Sequence, residues 1–159
     1  MSDAKAKITV LDAASVEPGL TWHYPSPYDR EPGGCEKRRL GDAVGLRTFG
    51  VNLTRIKPGE WSAQRHWPTR QDELIYILSG EVTLITDAGE QVIKAGQFAG
   101  FPSGNADGHH LVNRSDADAV CLEIGDRMQG DEVIYPDIDL FFRDDAGNKS
   151  FTNKKGDAY

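Results

Sequence analysis

From residue 46 to residue 124 the chain almost never sustains the three-to-four-residue spacing of apolar positions that an amphipathic helix needs. It runs instead as short stretches of Val, Ile, Leu, Phe, Tyr and Thr, cut by glycine, proline, aspartate and asparagine. These stretches predict strands over 46–56, 62–67, 73–78, 81–86, 91–94, 98–101, 109–113 and 119–124. Turn segments separate them: KPGE, SGE, DAGE, KAGQ, PSGNADG and RSDAD. The segment TDAGEQV is the best hairpin among them, because Asp and Gly tolerate the left-handed backbone of a tight turn. Short strands at this spacing predict an all-β, antiparallel sandwich or barrel. A chain of 159 residues is long enough for one such domain with one sizeable core.

The ends read differently. Residues 1–45 hold four prolines within EPGLTWHYPSPYDREPGGCEKRRLGD, and proline blocks continuous helix or central strand. They are expected to form an extended N-terminal arm anchored on the barrel by Trp22, Tyr24 and Tyr28. Residues 46–128 are the expected barrel core. Residues 129–159 read as an extension of the same domain, with an apolar strand over 138–142 and a hairpin at Asp145-Ala146-Gly147-Asn148 that pairs at a sheet edge.

Composition narrows the function. Formal net charge is −7, from 25 acidic against 18 basic residues, which argues against nucleic acid and anionic membranes as partners. The short basic run Lys37-Arg38-Arg39 reads as solvated surface. No apolar run approaches the ~18 residues of a membrane span, and the N-terminus lacks the apolar centre of a signal peptide. A cytoplasmic enzyme or binding protein is expected. Cys35 and Cys121 form no CxxC pattern and read as free thiols. There is no phosphate loop and no GxSxG elbow.

The stretch DELIYILSG bears on assembly. Alternation places Glu73, Ile75 and Ile77 on one face and Leu74, Tyr76 and Leu78 on the other. Both faces are apolar, so both need cover. The outer face calls for the arm or a second subunit, and a homodimer is the favoured expectation.

Two motifs then carry a resemblance. The first runs Gly59, six residues, His66, Trp67, Pro68, four residues, Glu73, six residues, Gly80. The second runs Gly96, five residues, Pro102, Ser103, Gly104, four residues, His109, three residues, Asn113. In this order and spacing they resemble the two motifs of the cupin superfamily, small barrels of jelly-roll (double-stranded β-helix) type. The resemblance implies that fold. It leaves the reaction open, since cupins include dioxygenases, isomerases, epimerases, decarboxylases and sensors.

In metal-bearing cupins the ligands are two histidines and the glutamate of the first motif and the histidine of the second. Carried over, these are His66, Glu73 and His109. The remaining position falls on Pro68, which has no lone pair. Two imidazoles and one carboxylate still make a respectable site for a divalent transition metal (Fe, Zn, Ni or Mn). Gln64, on the same strand face as His66, is expected as a weak additional ligand. His110 should point away from His109, and Asn113 should stabilise a turn. Tyr76, if inward, or Tyr135 are further proton donors to consider.

The resemblance therefore implies a barrel that binds or transforms a small polar metabolite. One version is a metal-dependent isomerase or epimerase of a sugar or sugar phosphate, or a dioxygenase. The other is a metal-free barrel, in which His66 and Glu73 act as a catalytic acid/base pair or the protein only senses a ligand.

Overall fold

Strand and turn residues alternate so regularly that the chain becomes almost entirely β. The computed structural model describes residues 8–19, 24–29, 35–145 and 147–159. Among these, twelve strands form: β1 (Cys35–Arg39), β2 (Phe49–Ile56), β3 (Trp67–Pro68), β4 (Glu73–Ser79), β5 (Glu81–Thr86), β6 (Gly89–Lys94), β7 (Phe98–Phe101), β8 (His110–Val112), β9 (Ala119–Asp126), β10 (Asp131–Tyr135), β11 (Leu140–Asp145) and β12 (Asn148–Thr152). A single helical turn, α1 (Leu40–Ala43), follows β1. No helix among the described residues is long and apolar enough to cross a membrane.

All strand pairs are antiparallel. One wall is a five-stranded sheet in the order β1-β2-β9-β4-β7. Facing it are a three-stranded sheet, β6-β5-β8, and a four-stranded sheet, β12-β11-β10-β3. The predicted hairpin at Asp87-Ala88 joins β5 to β6 with Thr86 opposite Gly89. The hairpin between Asp145 and Asn148 joins β11 to β12.

Register sorts the inner face of the large sheet into rows. Cys35, Ile56 and Ala119 face one another, then Lys37, Thr54, Cys121 and Ile77, then Arg39, Asn52, Glu123 and Ile75, then Gly50, Gly125, Glu73 and Phe101. The first two rows are buried, the first apolar and the second mixing Ile77 and Cys121 with Lys37 and Thr54; Ile56 and Ile77 are at 0% exposure. The later rows are polar, so the barrel grades from a dry base to a polar mouth. A second cluster, Tyr24, Val133, Tyr135 and Leu140, packs with Phe142 and Phe151 beneath the four-stranded sheet.

Three features differ from the sequence reading. Residues 62–65 are bends rather than strand, held by Ser62 N–H donating to the Leu111 carbonyl and by isolated bridges at Trp61 and His66. Cys35–Arg39, inside the expected arm, is a full edge strand of the large sheet. β10 was masked in sequence by its acidic start; Asp131 is nevertheless 1% exposed, because its carboxylate accepts from the Arg70 N–H and the Thr69 hydroxyl. Of the arm's aromatics, Tyr24 is buried against Tyr135 and Phe151, and Tyr28 packs on Tyr159. Trp22 and His23 lie outside the described residues.

Gly80 turns the chain between β4 and β5 at φ +74, and a Cβ there would lie 2.6 Å from the Asp118 carbonyl oxygen and 2.9 Å from Ala119 Cα. Both obstacles are backbone. Gly80→Ala should therefore cost about 2–3 kcal/mol, from the left-handed backbone plus the displaced β9 start, read as a lowered urea midpoint.

Candidate metal centre and its cavity

His66 and His109 meet because their backbones pair. The His109 N–H donates to the His66 carbonyl at 2.8 Å, and the His66 N–H returns to the His109 carbonyl at 3.2 Å. Directly opposed residues project side chains to one side, and the two rings lie 5.2 Å apart between centroids. Glu73 begins β4 on the inner face and completes the group. One ligand-type atom from each of the three side chains lies within 4.8 Å of the others.

Several neighbours fix these side chains. His66 Nδ1–H donates to the Gln64 carbonyl at 2.8 Å, which puts the ring's lone pair on Nε2. Phe101 stacks on His109 at 3.6 Å with an interplanar angle of 6°. Arg65 anchors the segment that carries His66. Its guanidinium grips Asp137 through two bonds of 2.7 and 2.6 Å, contacts Asp87 and donates to the Gly108 carbonyl. Asn113 ties the end of β8 to the end of β2 and to the loop before β9, donating to the Ile56 and Ala117 carbonyls.

The protonation states suit a cation. Burial pulls the His66 imidazole below its ordinary range, so it is neutral near pH 7. Burial pushes the Glu73 carboxyl up, but His109 and His66 outweigh it, and the group stays ionised below the usual carboxylate range. Glu73 Oε2 and His109 Nε2 are 3.1 Å apart. That contact has ion-pair distance without hydrogen-bond geometry: Glu73 Oε2, like His109 Nδ1, is buried with no hydrogen-bond partner. Orphaned buried polar atoms are costly. Adjacent ligands on an ion with bonds of roughly 2.0–2.2 Å, set at a right angle, stand about 3.0 Å apart. The separation and the donor set of two nitrogens and one oxygen fit a divalent transition metal. The triad can hold one.

Other sequence candidates fall as follows. Gln64 sits among the bends, so strand alternation no longer aligns its side chain with His66; what it supplies is the carbonyl that orients His66. Pro68 is buried in β3, opposite Val133 of β10. His110 hydrogen-bonds the Ala63 carbonyl at 3.0 Å. Tyr76 is on the outer face at 37% exposure, away from the site. Tyr135 is fully buried with its ring 6.0 Å from that of His66 and packs behind it.

The triad opens into a cavity of about 710 Å³, within the usual range for small-molecule sites. Around it stand polar residues that the sequence reading passed over: Lys37, Arg39, Asn52, Glu123 and Arg127. Lys37 pairs with Glu123 at 2.6 Å, with side chains 11% and 18% exposed. Burial alone would lower the Lys37 ammonium's pKa, but the Glu123 carboxylate overrides it, and the net direction is upward. The expectation that Lys37-Arg38-Arg39 is solvated surface therefore fails at Lys37, which alternation buries on the inner face; Arg38 reaches outward to the Val16 carbonyl, and Arg39, on the same face as Lys37, is exposed at the cavity's rim. The available signal was the period-two series Cys35, Lys37, Arg39, matched by Cys121, Glu123 on β9.

The family profile described as the cupin domain matches residues 52–125. A crystal structure of a sugar phosphate isomerase from a cupin superfamily, from Silicibacter pomeroyi, is 38% identical, with a TM-score of 0.90 over 95% of this chain and 96% of that one. The chain belongs to the cupin superfamily. Its architecture is accordingly the cupin jelly roll. A second structure, assigned as a sugar phosphate isomerase from Acidithiobacillus ferrooxidans, is 35% identical to this cupin, with a TM-score of 0.73 over 79% of this chain and 80% of that one. The polyketide cyclase RemF from Streptomyces resistomycificus, at 19% identity and a TM-score of 0.61 over 76% of this chain and 80% of that one, shares the fold. No curated protein sequence matches the chain.

Proposed function

We propose that this cupin is a metal-dependent isomerase of a phosphorylated sugar, with His66, Glu73 and His109 holding a divalent Fe, Zn, Ni or Mn ion. The observation that carries the reading is the meeting of two imidazoles and an ionised carboxylate, drawn from residues 66, 73 and 109, at the wall of a cavity of about 710 Å³. Two relatives above 30% identity, both named for sugar phosphate isomerisation, supply the substrate class. When bound, the ion supplies Lewis acidity toward the sugar's oxygens.

The chain's own groups do the rest. Aldose–ketose isomerisation moves one proton between adjacent carbons, so a base must take it from one carbon and return it to the next. Glu123 is a carboxylate in the cavity outside the triad, and Lys37 holds it at 2.6 Å. We assign Glu123 the base role, with Lys37 stabilising negative charge on the sugar oxygen. The free, buried Cys35 and Cys121 suit a reducing cytoplasm.

The test is solvent exchange. Metal-loaded protein in heavy water should place deuterium on the carbon next to the carbonyl of an aldose or ketose phosphate. Glu123→Gln should slow that exchange by about 100-fold or more. Ligand-dependent stabilisation without exchange, equal in chelator-treated protein, would instead favour the metal-free binding role.

Assembly follows from the outer face of the large sheet. Leu74, Tyr76 and Leu78 are 36–45% exposed there, and Phe98, opposite Tyr76, is 67% exposed. The described arm goes elsewhere: Gly19 bridges to Lys37 at the β1 edge, and Tyr24 packs under the four-stranded sheet. We propose that a second copy covers this face, since an uncharged apolar patch is self-complementary across a two-fold axis. Light scattering should give twice the chain mass, and Tyr76→Asp with Phe98→Asp should halve it. A wild-type monomer at micromolar concentration overturns this.

A further inference from the structure

We infer that Arg39 and Asn52 form an anion subsite at the cavity mouth that holds the phosphate monoester of the substrate; this rests on the sugar phosphate reading above. Arg39 ends the inner face of β1, and Asn52 lies directly opposite it on β2. Opposed residues of an antiparallel pair have Cβ atoms roughly 4.5–5.5 Å apart, so a guanidinium and a carboxamide stand side by side. Both line the cavity that contains the triad.

The two side chains are distinguished by what they do not bind. Among the described residues, neither the Arg39 guanidinium nor the half-buried Asn52 amide has a hydrogen bond or ion pair. Of the other cations lining this space, Lys37 pairs with Glu123 and Arg127 with Asp42, and Lys149 stands on the β12 side, away from β1 and β2. Arg39 thus brings an uncompensated positive charge to the cavity, in a chain whose net charge is −7. A guanidinium beside an amide N–H donor matches the several acceptor oxygens of a phosphate.

Spacing agrees with a short phosphorylated chain. Glu73 on β4 and Arg39 on β1 are separated by two intervening strands, β9 and β2. Three strand spacings amount to roughly 14–15 Å along the sheet. The inward reach of both side chains leaves between them a gap a few carbons long. In the row of Glu73 the wall itself carries no side chain, because Gly50 and Gly125 face each other in register there. A Cβ at Gly50 would come within 3.6 Å of Arg127 Nη2, so that guanidinium lies over the glycine floor. The Lys37–Glu123 pair occupies the stretch between the subsite and the triad. The anion would be held at one end and the reacting carbons at the other.

The test is calorimetric titration of the full chain, metal-loaded and chelator-treated, with inorganic phosphate and with acetate. Arg39→Gln should weaken phosphate binding by about tenfold or more, and Asn52→Ala by a few-fold, in both states. Metal affinity and melting temperature should not change, because Arg39 is exposed and touches no ligand of the metal. Acetate should bind much more weakly than phosphate. Wild-type affinity for phosphate in Arg39→Gln overturns the subsite, as does phosphate binding that requires only the metal, equal affinity for acetate, or a wild type that takes up metal but no phosphate. If Arg39-dependent phosphate binding persists while the wild type shows no metal uptake and no proton exchange, the subsite stands and the isomerase reading falls.

Discussion

Glu73→Gln should empty the metal centre while leaving the barrel folded. Purified wild-type protein, dialysed against Fe, Zn, Ni or Mn and then washed, is expected to retain about one ion per chain by elemental analysis. Changing an outer partner of a metal ligand typically costs 10–100-fold in affinity, so removing a ligand itself should cost more than about 100-fold. His66→Ala and His109→Ala should behave alike, because each removes one of only three donors. The loss is also visible in stability. An ion present at a hundred times its dissociation constant stabilises the folded state by about 2.7 kcal/mol, or roughly 5–10 °C in a chain of this size. The wild type should show that upward shift on metal addition and all three variants should not. Without metal, Glu73→Gln should be slightly less stable than the wild type near neutral pH, since the carboxyl is held below its usual range by His109 and His66, and that difference should fade as the pH falls through the carboxylate range. A wild type without metal affinity, in which Pro68→His raises affinity steeply, would mark the centre as a relic.

Asn113→Ala should be the most damaging substitution outside the site. Asn113 is 0% exposed. Its Nδ2 donates to the carbonyls of Ile56 and Ala117, both at 2.8 Å, and its Oδ1 accepts from the Ser115 N–H at 3.0 Å and hydroxyl at 2.7 Å. Alanine deletes all four bonds and cuts the tie between the end of β2 and the loop that carries Ser115 and Ala117. The expected cost is about 3–5 kcal/mol, a drop of about 10 °C or more in melting temperature, measured by a lowered urea midpoint at unchanged slope. Asn113→Asp should not rescue it, because a carboxylate oxygen would then face two carbonyl oxygens. Metal stoichiometry in the fraction that folds should be unchanged, which separates this scaffold role from the ligand variants.

Much of the scaffold was legible before any coordinates. The predicted strands over 81–86 and 98–101 coincide with β5 and β7, and the Asp87-Ala88 hairpin formed as expected. Those elements depend on local signals: period-two apolar residues, and turn residues between them. Glu73, Ile75 and Ile77 face inward for the same reason. The triad was legible through motif spacing, which names the residues without showing how they meet. Residues 62–65 were misread because Ser62 and His66 bond across to Leu111 and His109, a pairing too irregular to leave a periodic trace. Lys37 was misread because a basic run resembles solvated surface until its partner is known. That partner, Glu123, is far along the chain and two strands across the sheet.

By itself, then, the sequence determined an antiparallel β chain, its main turns, and three side chains of metal-binding type at cupin spacing. Alternation and turn chemistry act between near neighbours, so they can be read along the chain. Tertiary structure alone decided that β1 joins the large sheet, that Lys37 meets Glu123, and that Arg39 and Asn52 stand together at the mouth of the same cavity as the triad. These depend on which distant strands pair and in what register, and antiparallel pairing brings together residues whose separation in sequence carries no signal of their contact.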